Sequence, residues 1–154
     1  MWDVFNRYSS SLIYKGQRIF LKEKYRFSEN ETYDNVAVVV YSIHLIEGYR
    51  KIGEIDLRLT MNDYMYYYGH LGYHIIEKYR GNHYATEACV IIKMLAKTYF
   101  NLNELIVTCN PDNYASIKTI ERIGGEFIEC VNVPEDHDLY LLGEKVKNIY
   151  RVKL

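Results

Sequence analysis

The 154-residue chain is 49% hydrophobic, which is enough to bury one sizeable core but not two, so we predict a single domain over residues 1–154. Its 19 Lys and Arg residues balance 20 Asp and Glu residues, and the pI is near 6.5. No broad electrostatic field would therefore attract nucleic acid or an anionic membrane, and we expect neither as a partner.

The chain begins with a segment, MWDVFNRYSS, that lacks the apolar core of a signal peptide, and its longest apolar run, VAVVVY, is too short to span a bilayer. Both features favour a soluble, cytoplasmic protein. Strand-like segments rich in β-branched and aromatic residues follow, separated by polar turns, and we predict that they form an antiparallel meander. They are RIFLKEKYRF from Arg18, VAVVVYSIHL from Val36, KIGEIDLRLT from Lys51 and YMYYYGHLGYHII from Tyr64.

Charged residues alternate with apolar residues in the third of these strands. Glu54, Asp56 and Arg58 occupy every second position in a run of isoleucine and leucine. Because successive side chains of a strand point to opposite faces, one face is predicted to be apolar and the other charged. The charged face would meet water or a ligand.

The hydrophobic period changes at Tyr84, and small and apolar residues at helical spacing predict a helix to about Phe100. A short apolar strand, ELIVTCN, comes next. The segment PDNYASIKTIERIGG then predicts a second helix, which Asp112 or Asn113 can cap and Gly124 can end. This order predicts parallel flanking strands joined by a right-handed crossover, and EFIECVNV and NIYRVKL add an antiparallel pair.

The stretch YRGNHYATEA joins the tyrosine-rich strand to the long helix. Unpaired N–H groups and the positive end of the dipole make the start of a helix suitable for a phosphate. Arg80 would add charge, and Gly81 would permit close approach of the backbone. The other candidate donors are the main-chain N–H groups of Asn82, His83, Tyr84 and Ala85. An ordinary tight strand-to-helix connection is the alternative interpretation.

Two segments, GYHIIEKYRGNHYATEA and NPDNYASIKTIERIGG, together resemble the acetyl-CoA-binding core of the GNAT N-acetyltransferase superfamily, nearest to its ribosomal-protein N-acetyltransferase-like branch. The first matches the motif R/Q-x-x-G-x-G/A from Arg80 to Ala85, except that His83 stands where a glycine is usual. A left-handed backbone would be strained for a histidine. The second segment matches N-x-x-S at Asn113 and Ser116.

The resemblance implies an α/β fold with a central mixed, mostly antiparallel sheet that contains a splayed parallel strand pair and is flanked by helices. Acetyl-CoA would be the co-substrate, with its pyrophosphate on the long helix, and Asn113 would contact the pantetheine arm near Ser116. A backbone N–H near Ile75 or Ile76 would polarise the thioester carbonyl. Acetyl would pass directly to a primary amine of an unknown small molecule or peptide.

Three side chains are candidates for the general base of this reaction. Glu54 and Asp56 share a strand face at a spacing of about 6.6 Å, and His74 lies on the neighbouring strand close to the turn. A solvated charged face, neutralised by a nearby arginine, is the alternative for the two carboxylates. The tyrosine that commonly acts as general acid in the family is replaced by Ile120, so we consider Tyr114 as a substitute.

Neither the histidines nor the cysteines predict a metal site. His70 and His74 would lie about 13 Å apart along an extended strand, too far to share one ion. The cysteines have wide spacing and lie in apolar patterns, which argues against a zinc site or a disulfide and favours core positions. They are Cys89, Cys109 and Cys130.

The acceptor side departs from the family pattern. Only SENETYDN separates the first two long strands, which leaves no room for the two helices that family members commonly place there. The acceptor cleft must be open, or be completed by residues 1–17, the C-terminal hairpin or a second subunit of a homodimer. These departures keep two alternatives open, a non-catalytic acyl-CoA-binding or interaction module and a nucleotide-binding regulator.

Overall fold

An antiparallel meander of five strands forms the first half of the computed structural model, which describes residues 12–32 and 34–154. Its strands are β1 (Ile13–Lys15), β2 (Ile19–Phe27), β3 (Val38–Leu45), β4 (Lys51–Arg58) and β5 (Leu71–Ile75). They follow one another across the sheet in chain order. The long strands are rich in β-branched and aromatic side chains, which suit a pleated surface, and the predicted meander is confirmed.

A second sheet contains the three remaining strands, and all of its pairs are antiparallel. They are β6 (Glu104–Cys109), β7 (Gly125–Asn132) and β8 (Val146–Lys153). The predicted antiparallel pair of C-terminal strands is confirmed. The last strand, β8, lies between β6 and β7, an order that hydrophobic pattern alone does not predict because it depends on long-range pairing.

The long helix α1 (Tyr84–Thr98) lies against the meander. One side of the helix is fully buried, and each large side chain removed from water in this way contributes about 1.5–3 kcal/mol. The buried residues are Ala88, Cys89, Ile91, Ile92, Leu95 and Ala96. The helix predicted from the apolar spacing is therefore confirmed, with its end two residues earlier than Phe100.

Two further helices follow in the second half. Helix α2 (Tyr114–Arg122) begins after Asn113, whose side chain accepts the Ser116 N–H at 3.1 Å, and Gly124 follows it at φ 90°. Both ends agree with the sequence prediction. The single-turn helix α3 (Asp138–Leu141) was not predicted, because four residues are too few to show a helical period.

The first sheet has one buried face and one outer face. Helix α1 covers the face that carries Ile55 and Leu57, both of which are buried. Glu54, Asp56 and Arg58 lie on the outer face and are only partly buried, as the alternation along β4 predicts.

The outer face lacks a helical cover among residues 12–32 and 34–154. Between β2 and β3 the described chain forms a single 3₁₀ turn, Glu29–Glu31, in agreement with the expected lack of room for two helices. The N-terminal residues 1–11, which belong to the segment proposed to complete the acceptor cleft, lie outside the described residues. The outer-face residues of β4 are accordingly only partly buried.

The tyrosine-rich segment before β5 is not a strand, contrary to the sequence prediction. Met65–Tyr67 form a 3₁₀ turn, and the strand begins only at Leu71. The Asn62 side chain accepts the first N–H of the turn at 2.8 Å. The buried His137 ring stacks on Tyr64 with 4.2 Å between centroids and donates to the Tyr64 carbonyl. These contacts override the strand propensity of the tyrosines.

The two sheets meet at His70. Its backbone N–H donates to the Ile106 carbonyl at 2.7 Å, and its Nδ1 accepts the Ile106 N–H at 2.8 Å. Burial lowers the pKa of His70, which favours the neutral ring that this acceptor role requires. This pair of hydrogen bonds fixes one point of contact between the sheets.

Beyond His70 the described parts of β5 and β6 form no ladder, and the central sheet is therefore split into two antiparallel sheets rather than one mixed sheet. We name the space between Leu71–Ile75 and residues 107–109 the β5–β6 cleft. The predicted fold class, a mixed α/β fold of mostly antiparallel strands flanked by helices, is confirmed. The two strands expected to form a splayed parallel pair, β5 and β6, belong to different sheets and are separated by this cleft.

The cysteines divide into two environments. Cys89 and Cys109 are buried, as predicted, and burial raises the pKa of the Cys89 thiol to about 12. Cys130 is exposed, and the prediction of a core position is wrong for it. The reason is that β7 is an edge strand whose residues are mostly exposed.

Candidate active site

The turn after β5 has a positive φ at two positions. A 3₁₀ turn, Glu77–Tyr79, leads to Gly81 at φ 79°, and His83 follows at φ 63°. Helix α1 then begins at Tyr84. A Cβ on Gly81 would meet no atom within 4 Å, so the backbone angle rather than lack of space requires glycine there.

His83 adopts the left-handed conformation that strains most side chains. Such a conformation costs about 1–2 kcal/mol, although histidine tolerates it better than most residues do. His83 is exposed, and its side chain makes no capping hydrogen bond. The histidine that departs from the motif thus follows a backbone path of the kind that glycine favours.

The main-chain N–H groups of residues 81–85 have no acceptor within the described part of the chain. They lie at the positive end of the 15-residue helix α1. The Asn82 amide donates to the carbonyls of Tyr79 and Arg80 at 3.1 and 3.2 Å, which holds the turn in shape. The turn therefore offers preformed donors to an anion.

Arg80 connects this turn to the end of β5. Its Nε donates to the Ile75 carbonyl at 2.8 Å, so one of its N–H groups stabilises the fold. The guanidinium has five N–H donors in total, so this bond leaves four of them for other partners. Arg80 can therefore position the turn and still attract a phosphate.

Two N–H groups of β5 face the β5–β6 cleft. The Ile76 N–H donates to the Ile52 carbonyl at 2.8 Å and so is not free to polarise a thioester carbonyl. Neighbouring residues of an antiparallel ladder point their N–H groups in opposite directions, so those of Tyr73 and Ile75 point away from β4. Neither has an acceptor among residues 12–32 and 34–154. Ile75 stays a candidate for this role, and Tyr73 joins it.

Buried polar atoms without partners border the cleft on three elements. Within the described residues they include the Tyr73 hydroxyl on β5, the Thr86 hydroxyl in the first turn of α1 and the Asn110 amide oxygen after β6. A buried polar atom left unpaired costs about 1–3 kcal/mol. A bound ligand with polar groups along its length, such as the pantetheine and pyrophosphate of acetyl-CoA, would offer these atoms partners.

Tyr73 is a residue that the sequence predictions missed. Its hydroxyl approaches Ser116 and Thr119 of α2 without reaching hydrogen-bond geometry. Burial raises the pKa of the Tyr73 phenol to about 12, and these two hydroxyls offset part of the rise. The phenol therefore stays protonated at neutral pH. Its position two residues before Ile75, on the same strand face, is the signal that could have identified it.

The start of α2 contains the other residues predicted for the donor site. Asn113 is exposed and uses its Oδ1 to cap α2, which leaves the amide NH₂ available to a ligand. Ser116 is partly buried beside Tyr73. Tyr114 is 74% exposed, whereas Ile120 is only 1% exposed. Tyr114 is therefore a weaker candidate for a proton donor than Tyr73, whose hydroxyl is buried.

Glu54 is held by two lysines. Its Oε1 accepts hydrogen bonds from Lys24 Nζ and Lys51 Nζ, each at 2.6 Å. These bonds lower the pKa of Glu54, whose side chain is 40% exposed. A carboxylate stabilised in its charged form is a poor proton acceptor. Glu54 is therefore well placed for a general base, but its lowered pKa makes it a weak one.

Asp56 has the opposite environment. Burial raises the pKa of its carboxyl, and the charge of Glu54 adds to the rise while that of Arg58 opposes it. Arg58 Nε lies 3.1 Å from Oδ2, yet this oxygen has no hydrogen bond of good geometry within the described chain. Gly72 lies opposite, where a Cβ would come within 2.6 Å of Oδ1. Asp56 is therefore the better base of the two.

His74 lies directly opposite Glu54 in the register of β4 and β5, and it is exposed on the outer face. It stays a candidate by position. Across the described residues, no three His, Cys, Asp or Glu side chains are grouped closely enough to hold a metal ion. In the same part of the chain, the helices are all too short or too polar to cross a membrane.

The split antiparallel sheets and the donor-lined turn define an acetyltransferase fold. A family model described as an acetyltransferase (GNAT) domain matches residues 7–126. The chain belongs to this GNAT family, and the resemblance found in its motifs is confirmed. No curated protein has a sequence that matches the chain.

Solved structures share the fold at low sequence identity. A GNAT-family acetyltransferase from Bacillus anthracis is 17% identical with a TM-score of 0.66, and the match covers 92% of this chain and 98% of that one. A putative ribosomal-protein-serine acetyltransferase from Vibrio cholerae is 14% identical with a TM-score of 0.66, covering 95% and 99%. Mycobacterium smegmatis RimJ, solved with CoA-disulfide, is 15% identical with a TM-score of 0.59, covering 75% and 53%.

Proposed function

We propose that the protein is an N-acetyltransferase that moves acetyl from acetyl-CoA directly to a primary amine of a small molecule or peptide. The observation that carries this proposal is the β5–β6 cleft, where free N–H groups of β5 lie next to a turn rich in main-chain donors. Membership of the GNAT family supports acetyl-CoA as the co-substrate. A structural neighbour described as a putative ribosomal-protein-serine acetyltransferase makes a peptide acceptor a reasonable first choice.

Acetyl-CoA would supply the activated acetyl thioester. The main-chain N–H groups of residues 81–85 would bind its pyrophosphate, with the dipole of α1 adding to the attraction. The Ile75 N–H and the Asn113 amide would hold the pantetheine arm. The Tyr73 N–H would then polarise the thioester carbonyl from a fixed position on the strand.

Asp56 would accept the proton of the acceptor amine as the nitrogen attacks the thioester carbon. Its raised pKa brings it closer to the working pH, which improves a general base. The C–N bond forms, the C–S bond breaks, and the sulfur leaves as a thiolate that takes up one proton. Because the usual tyrosine position is Ile120, that proton must come from another group.

The Tyr73 hydroxyl is our candidate to stabilise the departing thiolate. We expect Tyr73→Phe to lower kcat by about tenfold to a hundredfold with little change in the KM for acetyl-CoA, since the hydrogen bond forms only as the thiolate develops. Steady-state assays of thiol release measure both constants.

Thermal unfolding separates this role from a structural one. Removing a buried hydroxyl that has no partner should leave the melting temperature unchanged or raise it. Tyr99→Phe is the matched control and should have no effect on kcat, because that phenol is exposed at the C-terminal end of α1, far from the turn. Full activity of the Tyr73→Phe variant would remove Tyr73 from the mechanism.

Incubation of the purified protein with acetyl-CoA and a panel of amines tests the proposed function itself. Thiol release that depends on one class of amine, with a product heavier by one acetyl group in mass spectrometry, is the expected result. Tight acetyl-CoA binding in calorimetry without thiol release for any amine would favour the alternative of a non-catalytic acyl-CoA-binding module. Equally weak binding of CoA and AMP would reject the acetyl-CoA proposal.

A further inference from the structure

The outer face of the first sheet carries a basic groove of about 410 Å³ beside the proposed reaction site. The groove lies over β2, β3 and the start of β4. Its lining residues include Lys22, Lys24, Ser42, His44 and Lys51. We name it the basic groove. Its three lysines are exposed, so the groove is open to solvent.

The charges of the basic groove do not balance. Lys24 and Lys51 share a single carboxylate, that of Glu54. Lys22 is exposed and has no carboxylate partner among the described residues. Glu23, the acidic residue of the lining itself, is bound to Arg26 at 2.6 Å. Three ammonium groups therefore face one available carboxylate, which favours an anionic ligand.

The floor of the groove is rigid and polar. The His44 ring stacks on Phe20 at 4.9 Å between centroids with an angle of 8°. Its Nδ1 bonds to the Tyr49 carbonyl at 3.1 Å, and its Nε2 to the Ser42 hydroxyl at 2.8 Å. A fixed imidazole and hydroxyl next to three lysines form a surface that can orient an anion as well as attract it.

The basic groove and the candidate catalytic residues lie along one row that crosses the sheet. Lys22 is opposite Ser42, Ser42 is opposite Glu54, and Glu54 is opposite His74 in the register of four adjacent strands. Neighbouring strands are about 4.8 Å apart, so roughly 10 Å separates β2 from β4 along this row. A ligand with one end at Lys22 would place its other end beside Glu54 and His74.

We infer that the basic groove binds an anionic group of the acceptor, a carboxylate or a phosphate, and that the acetylated amine lies about 10 Å from that group. This inference rests on the proposed N-acetyltransferase function and names the acceptor class for the same site. The acceptor spans the outer face from β2 to β4. The anion anchors it, and the amine lies beside the carboxylates of β4, one strand away from the β5–β6 cleft.

Acceptors of equal length that differ only in the charge of their C-terminal group test the inference. Extended chain rises about 3.3–3.6 Å per residue, so the amine and carboxylate of trialanine are separated by roughly 10 Å. We expect trialanine to have a kcat/KM at least tenfold higher than trialanine amide. An aminoalkyl phosphate of similar length distinguishes a preference for phosphate from one for carboxylate. Equal kcat/KM for the acid, the amide and the phosphate would overturn the inference while leaving the proposed function intact.

Lys22→Gln tests the assigned anchor. It should abolish the preference for trialanine over its amide, by raising KM for the acid about tenfold while changing the amide little. Lys97→Gln is the control, because Lys97 is an exposed lysine at the far end of α1, on the covered side of the sheet. A preference for the acid that survives Lys22→Gln would overturn the assignment.

A titration without acetyl transfer keeps the inference testable if no amine is acetylated. Succinate or inorganic phosphate should shift the NMR signals of the His44 ring in the wild-type protein and in Lys97→Gln, and the shift should be lost in Lys22→Gln. That pattern would support the anion site even if the proposed function fails. No shift of the His44 signals at millimolar concentrations would overturn it.

Discussion

Asp56→Asn is expected to lower kcat by about 10²-fold or more and to leave acetyl-CoA affinity unchanged. The carboxyl is partly buried, its pKa is raised, and its Oδ2 has no hydrogen bond within the described residues. An amide of the same shape cannot accept the proton of the amine. Thiol-release kinetics measure kcat, and calorimetry measures the affinity for acetyl-CoA.

The pH dependence distinguishes Asp56 from Glu54 as the base. A base acts only when it is ionised, so the rate falls as the pH drops through its pKa. The pKa of Asp56 is raised above 3.8 and that of Glu54 is lowered below 4.5. Loss of activity that begins above the ordinary carboxyl range would indicate Asp56. Glu54→Gln should change kcat less than tenfold, and a larger loss in it than in Asp56→Asn would reverse the assignment.

The fold could be predicted from the sequence wherever local pattern and tertiary contacts agree. The alternation of charge along β4 and the caps of α2 at Asn113 and Gly124 are local signals, and the structure retains them. The segment after Tyr64 has a strong strand propensity, yet it forms a turn because the buried His137 binds it from 73 residues away. Contacts of that range leave no trace in a local pattern.

The candidate site shows the same division. The turn at Arg80 and the cap at Asn113 are recognisable from motif spacing. The opposite pKa shifts of Glu54 and Asp56 are not recognisable from the sequence, because both residues lie on one strand face. Two lysines lower the pKa of Glu54, whereas burial raises that of Asp56. Tyr73 was missed because the sequence has 17 tyrosines and no local pattern distinguishes this one. Its suitability as a proton donor depends on burial and on the hydroxyls of α2 that surround it in the fold.

Gly81→Asp is expected to weaken acetyl-CoA binding by at least about tenfold, equivalent to about 1.4 kcal/mol. The new carboxylate would stand beside the main-chain donors proposed to bind the pyrophosphate. Two like charges about 4 Å apart near a protein surface repel by about 4 kcal/mol, so the tenfold figure allows for screening by solvent. Calorimetry with acetyl-CoA measures the loss, which should shrink as the salt concentration rises.

Two controls separate charge from backbone strain at this position. Gly81→Asn has nearly the same shape as Gly81→Asp, and asparagine tolerates the left-handed conformation, so it should retain most of the affinity. Gly143→Asp introduces the same charge at φ 90°, where a Cβ meets no atom within 4 Å, and it should bind acetyl-CoA as the wild type does. If Gly81→Asp and Gly81→Asn weaken binding equally, strain rather than charge is responsible. Unchanged affinity of the Gly81→Asp variant would show that the pyrophosphate lies elsewhere than at residues 81–85.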